Sequence, residues 1–134
     1  MAVNGIHHLG VAVEDIDDAV ELYGRLFGAR LEEREALPDQ GVVAASLRVG
    51  DSHIELLGAQ GVDTPVGKFL ASRGPGMHHV AFAVDDVAAE LHRLAADGVE
   101  LIDTTPRRGA FGTTVAFIHP HAAGGVLAEL VSHG

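Results

Sequence analysis

The feature that most constrains this chain is an internal repeat. Residues 6–13, IHHLGVAV, return closely copied as residues 77–84, MHHVAFAV. In both copies a histidine, His8 or His79, begins an apolar run about one strand long, and an acidic pair and an amphipathic helical pattern follow. The chain is therefore predicted to contain two copies of one structural module.

The repeat extends to the ends of both modules. FGARL at 27–31 matches DGVEL at 97–101, and IELL at 54–57 matches AELV at 128–131. Each half thus supplies one histidine near its first strand and one glutamate, Glu55 or Glu129, in its last. This arrangement is the one expected of a site that two halves share.

Hydrophobic periodicity and turn residues predict the same order of elements twice. In the first module we expect a strand at 6–13, a helix from the cap Asp15 to Phe27 ended by Gly28, and strands at 31–35, 42–49 and 53–57. In the second we expect a strand at 78–84, a helix at 87–96 ended by Gly98, and strands at 99–102, 113–118 and 126–132. A short helix from Pro65 to about Ala71 is predicted in the connector, after the cap Thr64.

The predicted class is α+β, a single domain over residues 1–134 built of two βαβββ modules. Module one covers about 5–58, the connector 59–76 and module two about 77–132. A module of this kind leaves one apolar sheet face uncovered. Two modules are therefore expected to bury each other's faces and to form a cleft at their interface.

Composition excludes several classes of function. The formal charge is −10 with a pI near 5.2, whereas binding to nucleic acid or to an anionic membrane relies on basic surface. There is no cysteine, so disulfides, thiolate nucleophiles and cysteine-ligated metals are excluded. No apolar run approaches the roughly 20 residues of a membrane span, and the N-terminus lacks a signal-peptide pattern. We expect a soluble cytoplasmic protein.

The repeated polar residues are the ligand types of a divalent transition metal. His8 and His79 offer neutral imidazoles, and Glu55 and Glu129 offer carboxylates that neutralise the charge of an M²⁺ ion such as Zn²⁺, Mn²⁺, Co²⁺, Ni²⁺ or Fe²⁺. A single histidine on an apolar strand is more often a hydrogen-bonded core residue. However, a glutamate inside an apolar strand is costly unless it is paired or bound to a metal. The pattern therefore favours a metal site formed by all four residues.

The other histidines have weaker claims. His7 and His78 precede the proposed ligands and should point to the opposite strand face. His53 shares the face of Glu55 and is a second candidate ligand. His119 and His121 lie in a loop near the predicted cleft, where a turn role is favoured over contact with substrate.

Several segments together resemble the methylmalonyl-CoA epimerases, a family of the vicinal oxygen chelate, or glyoxalase-like, superfamily. They are HLGVAV at 8–13, LPDQGV at 37–42, IELL at 54–57, the TPVGKFL connector at 64–70, GMHHVAF at 76–82, FIHP at 117–120 and GGVLAEL at 124–130. The resemblance covers nearly the whole chain. It implies tandem modules in a cleft-shaped, incompletely closed eight-stranded barrel, a divalent metal (Co²⁺, Mn²⁺, Ni²⁺ or Zn²⁺), an acyl-CoA thioester substrate and a homodimer.

The resemblance also implies the chemistry, which is interconversion of the two C2 epimers of methylmalonyl-CoA through a metal-stabilised enolate. Some members carry a catalytic glutamate directly after Gln-Gly-Val-X, but here Ala44 occupies that position. Glu129 matches the family's other base, which is also a metal ligand. Glu55 stands where some epimerases have a neutral glutamine. We therefore expect Glu55 and Glu129 to act as the two bases.

Candidate contacts to substrate, chiefly to its CoA portion, are Gln40, Lys68, Arg107, Arg108 and His119. The alternatives are a glyoxalase-type lyase, another metal-dependent enzyme of the superfamily such as an extradiol-type dioxygenase, and a metal-free small-molecule binding protein.

Overall fold

The structure is a computed structural model that describes residues 3–133. The strands are β1 (Val3–Ala12), β2 (Arg30–Leu37), β3 (Val42–Val49), β4 (Ser52–Ala59), β5 (Gly76–Val84), β6 (Arg107–Arg108), β7 (Thr113–Ile118) and β8 (Ala128–His133). The helices are α1 (Ile16–Phe27) and α2 (Pro65–Arg73), both before β5, and α3 (Val87–Ala96). Over this range no helix is long and apolar enough to cross a membrane.

The helix ends follow the predicted capping residues. Asp15 accepts a hydrogen bond from the backbone N–H of Asp18 at 2.9 Å, and α1 ends at Gly28, whose φ of 67° is left-handed. Thr64 caps α2 in the same way, and Asp86 caps α3. The predictions for these three helices are confirmed, although α2 runs two residues further than expected.

The chain divides into two compact units, of which one comprises residues 8–78. Its strand order is β2-β3-β4-β1, with β1 parallel to β4 and the other neighbours antiparallel. In the other unit, residues 79–133 are joined by residues 3–7. Its strand order is β5-β8-β7-β6, with β5 parallel to β8 and the other neighbours antiparallel. The repeat of one βαβββ pattern is confirmed, and β1 and β5 are equivalent strands.

In the unit of residues 8–78, α1 covers one face of the sheet. The apolar residues buried there are Val11, Val13, Ile16, Ala19, Ala29, Ala45, Leu47 and Leu56. Side chains alternate between faces along a strand. His8 and Glu55 differ by an odd number of positions from Val11 and Leu56, so they lie on the face opposite to α1.

The unit of residues 79–133 repeats this division with α3. Its helix-covered core consists of Val84, Val87, Leu91, Ala116 and Leu130. A separate buried cluster on the other face consists of Ala81, Val115 and Val131. His79 and Glu129 share the parity of that second cluster, so in both units the repeated polar residues lie on the sheet face away from the helix.

The predicted strand at 99–102 is wrong. Only Leu101 makes a bridge, to Ile118, and the short strand β6 lies further along the chain at Arg107–Arg108. The Asp103 carboxylate accepts the backbone N–H of Phe117 at 2.8 Å, and the N–H groups of Ile102 and Asp103 both donate to the Phe117 carbonyl. The Asp103 side chain thus occupies the Phe117 N–H, which a backbone carbonyl of a continuing strand would otherwise accept. The strand predicted at 99–102 therefore does not continue.

Candidate functional site

His8 and Glu55 form a buried pair in the unit of residues 8–78. The atoms His8 Nε2 and Glu55 Oε2 lie 2.6 Å apart, and the two residues are 6% and 9% exposed. In the parallel ladder between β1 and β4, Glu55 is the register partner of Gly10. His8 lies two residues before Gly10 on the same face, and the glycine has no side chain to separate the two groups.

His79 and Glu129 form the corresponding pair in the unit of residues 79–133. The distance from His79 Nε2 to Glu129 Oε1 is 3.2 Å, and the residues are 5% and 7% exposed. Here Glu129 is the register partner of Ala81, which lies two residues after His79 and carries only a methyl group. The two sequence repeats therefore place a histidine and a glutamate in the same local geometry.

The two glutamates are unusual in their burial. Among residues 3–133 the buried acidic side chains are Glu55, Glu90 and Glu129. Glu90 accepts two hydrogen bonds from Arg93, at 3.2 and 2.8 Å, so a fixed cation balances its charge. Each of the other two instead faces an imidazole. Because an ionised carboxylate is costly to bury without a compensating charge, this donor set fits a divalent cation.

An aromatic ring adjoins the second pair, and an arginine packs on that ring. The ring of Phe117 meets the ring of His79 edge to face, with centroids 5.6 Å apart. The guanidinium of Arg107 stands 5.3 Å from the centroid of Phe117. Asp103 anchors both partners, since its Oδ2 accepts the Phe117 N–H at 2.8 Å and lies 3.3 Å from Arg107 Nε. Arg107 is thereby held against the Phe117 ring while its side chain stays 43% exposed.

The first pair has different neighbours along β3. Ser46 is the register partner of Glu55, and Ala44 is the partner of Leu57, so both lie on the face of Glu55. Ala44 is 0% exposed. A glutamate at position 44 would extend along the same face as Glu55. This chain has only the methyl group of Ala44 there.

The other predicted contact residues lie in several elements. Gln40 is half-buried in a 3₁₀ turn, Lys68 is exposed on α2, and Arg108 is exposed opposite Thr114 in the ladder between β6 and β7. His53 does not join the first pair through its Nε2, which faces Glu32 Oε1 at 3.0 Å.

One cluster of polar side chains has no counterpart in the sequence-based predictions. The side chains of Glu100, His119 and His121 offer donor atoms within 4.8 Å of one another. The predicted turn role of His119 and His121 is confirmed, because His119 Nδ1 accepts the N–H of His121 at 3.1 Å. The His-Pro-His spacing was a signal for a possible ligand pair. Glu100, nineteen positions before His119, gave none.

Comparison with known proteins agrees with this geometry. Residues 7–117 match the family model of the Glyoxalase/Bleomycin resistance protein/Dioxygenase superfamily. The crystal structure of methylmalonyl-CoA epimerase from Mycobacterium tuberculosis is 40% identical, with a TM-score of 0.95 over 99% of this chain and 90% of that one. A methylmalonyl-CoA epimerase solved in complex with methylmalonyl-CoA and NH4+ is 37% identical, with a TM-score of 0.96 over 99% and 96%. The mitochondrial methylmalonyl-CoA epimerase of Homo sapiens is 34% identical over 93% of this chain and 72% of its own length.

The chain therefore belongs to the glyoxalase/bleomycin resistance protein/dioxygenase superfamily, and its α+β fold is the glyoxalase-like fold that the sequence predicted. Within that superfamily its relatives include methylmalonyl-CoA epimerases. The protein is an enzyme of the racemase and epimerase class.

Proposed function

We propose that this enzyme interconverts the two C2 epimers of methylmalonyl-CoA in a metal-dependent reaction. The observation that carries the proposal is the twofold occurrence of a buried His–Glu pair in the same strand register, His8 with Glu55 and His79 with Glu129. The relative that binds methylmalonyl-CoA supports the choice of substrate. Residues 1–134 would then act as one vicinal-oxygen-chelate domain.

The four residues of the two pairs would together hold one divalent cation, namely Co²⁺, Mn²⁺, Ni²⁺ or Zn²⁺. The two carboxylates would cancel the charge of such an ion, and the two neutral imidazoles would add none. An anionic substrate could therefore still approach. When bound, the cation supplies positive charge that stabilises an enolate. Burial of both pairs supports this role, since exclusion of water strengthens electrostatic stabilisation.

Glu129 and Glu55 would move the proton. A carboxylate oxygen of one glutamate takes the proton from C2, and the electron pair of the broken C–H bond enters the enolate. The other glutamate, which has taken up a proton from solvent, gives that proton to the opposite face of C2, and the first glutamate then releases the abstracted proton to solvent. Both faces need a base in such an exchange. Because Ala44 provides no carboxylate, the proposal assigns the second base to Glu55 rather than to the glutamate found after Gln-Gly-Val-X in some relatives.

Arg107 is the strongest of the proposed contacts for the CoA portion, with Arg108, Lys68, Gln40 and His119 as further candidates. Its guanidinium is oriented by Asp103 and Phe117 and remains partly exposed, so it can meet an anionic ligand. We expect Arg107→Ala to raise KM for methylmalonyl-CoA with little change in KM for the pantetheine thioester, which lacks the nucleotide phosphates. Arg25→Ala, at the exposed end of α1, is the control. An equal rise with both thioesters would rule out this role.

The decisive experiment measures exchange of C2 deuterium and interconversion of the epimers by purified protein with each of the four metals. Turnover that disappears on chelation and returns with metal is expected. Exchange that persists in the chelated protein would reject the metal's role, and absence of exchange with every metal would reject the substrate.

A glyoxalase-type lyase is the second candidate. The observation that favours it is Glu55 itself, because two glutamate ligands related by the repeat also match the glyoxalase reaction. Assay with the hemithioacetal of methylglyoxal and glutathione separates this activity from epimerisation. A homodimer and a cytoplasmic location remain proposals, and light scattering of the purified protein tests the first.

A further inference from the structure

We propose that Glu100, His119 and His121 form a second divalent-metal site, suited to Zn²⁺ and separate from the His–Glu pairs. All three residues belong to the unit of residues 79–133. Two imidazoles and one carboxylate are a ligand set that Zn²⁺ uses in proteins, with solvent completing the coordination. The assignment does not depend on the proposed epimerase activity.

The distances between the side chains suit a shared ion better than direct pairing. His119 Nε2 lies 3.7 Å from Glu100 Oε2, and His121 Nδ1 lies 3.9 Å from Glu100 Oε1. Both separations exceed hydrogen-bond length. Donors placed tetrahedrally around Zn²⁺ at bonds of about 2.0 to 2.1 Å are roughly 3.3 to 3.4 Å apart. One donor atom from each residue lies within 4.8 Å of the other two, so a contraction of up to about 1.5 Å would bring all three donors to one ion.

The backbone already brings the ligands together. The N–H of His119 donates to the carbonyl of Glu100 at 3.2 Å, beside the bridge between Leu101 and Ile118. A 3₁₀ turn beginning at Pro120 then carries His121 back beside His119, and their ring centroids lie 4.6 Å apart. Much of the conformational entropy that is lost in ordering the three ligands is therefore already lost when the chain folds. Binding of the ion has less ordering left to do.

Binding would require one local change. An imidazole that coordinates through Nε2 carries its proton on Nδ1, so His119 Nδ1 could no longer accept the N–H of His121. That N–H lies in an exposed loop, where water can replace the lost partner. The side chains are open to solvent, at 58% for Glu100, 33% for His119 and 82% for His121, so the ion would exchange readily with chelators.

The overall charge of the chain favours a cation here. With a formal net charge of −10, the protein surface attracts divalent ions and repels anions. The Glu100 carboxylate supplies the local negative charge that neutral imidazoles lack.

The test is equilibrium dialysis against Zn²⁺, with metal analysis, of the parent protein and of the variants His121→Ala and Glu100→Ala. His92→Ala, which removes an exposed histidine from α3, is the matched control. If the paired site also binds Zn²⁺, we expect two equivalents in the parent and in His92→Ala, and one in the other two variants. Since loss of groups that merely orient a ligand weakens metal binding by roughly 10- to 100-fold, loss of a ligand should weaken this site by at least about tenfold.

The variant His79→Ala separates this site from the paired residues. This variant should still bind one equivalent of Zn²⁺, and adding His121→Ala to it should remove that equivalent. The result is expected even if the paired residues bind no metal and the proposed activity fails. Circular dichroism establishes that each variant is folded. Unchanged stoichiometry and affinity in folded His121→Ala, or complete loss of Zn²⁺ in folded His79→Ala alone, would overturn the proposal.

Discussion

Replacement of Glu55 by glutamine tests whether this residue is a base or only a ligand. The change keeps one side-chain oxygen beside His8 and removes the negative charge. The 2.6 Å contact between His8 and Glu55 becomes a neutral hydrogen bond. Charge-assisted bonds are roughly twice as strong as neutral ones, so the metal-free protein should lose at most about 1 kcal/mol of stability, because the variant also no longer buries an ionised carboxylate. For a chain of this size that loss corresponds to about 3 to 5 °C in Tm.

The effect on chemistry should be much larger. Loss of a general base reduces turnover by roughly 10²- to 10⁴-fold, which is about 3 to 5 kcal/mol of activation free energy. If Glu55 serves one face of the substrate, the variant should still exchange C2 deuterium from the epimer that faces Glu129. Interconversion of the epimers should be slow. Glu129→Gln should show the opposite preference between epimers.

The assay is proton NMR of each separate epimer in D₂O, together with metal analysis of the same sample. Glu90→Gln is the matched control, because Glu90 is equally buried, bonds to Arg93 and lies in α3. It should lose comparable stability and keep full turnover. If Glu55→Gln epimerises at the parental rate with metal bound, Glu55 is only a ligand and the second proton comes from another group.

Three further predictions test the site and the fold. His79→Ala should weaken metal binding at the paired site by at least about tenfold in a metal titration. His78→Ala, which loses contact with the Phe69 ring instead, should leave metal affinity unchanged. An equal loss of affinity in both variants would contradict the ligand assignment. Leu56→Ala, at a position with 0% exposure, should lower the urea-unfolding free energy by about 2 to 5 kcal/mol, and a loss under 1 kcal/mol would show that this core repacks. Asp15→Ala should cost about 1 kcal/mol in the same measurement through loss of the α1 cap, while Asp15→Asn should retain most of it.

The sequence by itself determined the elements whose signals are local. Strands β3 and β7 and helix α3 have the predicted bounds, because alternation of apolar residues and capping by Asp86 act over a few neighbouring residues. The repeat likewise predicted two equivalent modules. It also singled out the two histidines and two glutamates that the structure buries.

Only the tertiary structure decided which groups meet. Parallel pairing of β1 with β4 brings Glu55 opposite Gly10, and therefore beside His8, although Gly10 and Glu55 are 45 positions apart in the chain. The hydrogen bond from the Phe117 N–H to the Asp103 carboxylate also joins separate segments of the chain. It stops the predicted strand at 99–102, and the same carboxylate orients Arg107.

The start of the chain gives the clearest contrast. Local patterns assign residues 5–7 to the first module, yet residues 3–7 belong with residues 79–133. Asn4 donates to the Asp85 carboxylate at 2.8 Å, and His7 lies 2.8 Å from His133 between ring nitrogens. Periodicity can show that a segment is a strand and which residues share a face. It cannot choose the partner, because hydrogen-bonding edges are chemically alike along every strand and the choice depends on how the whole chain packs.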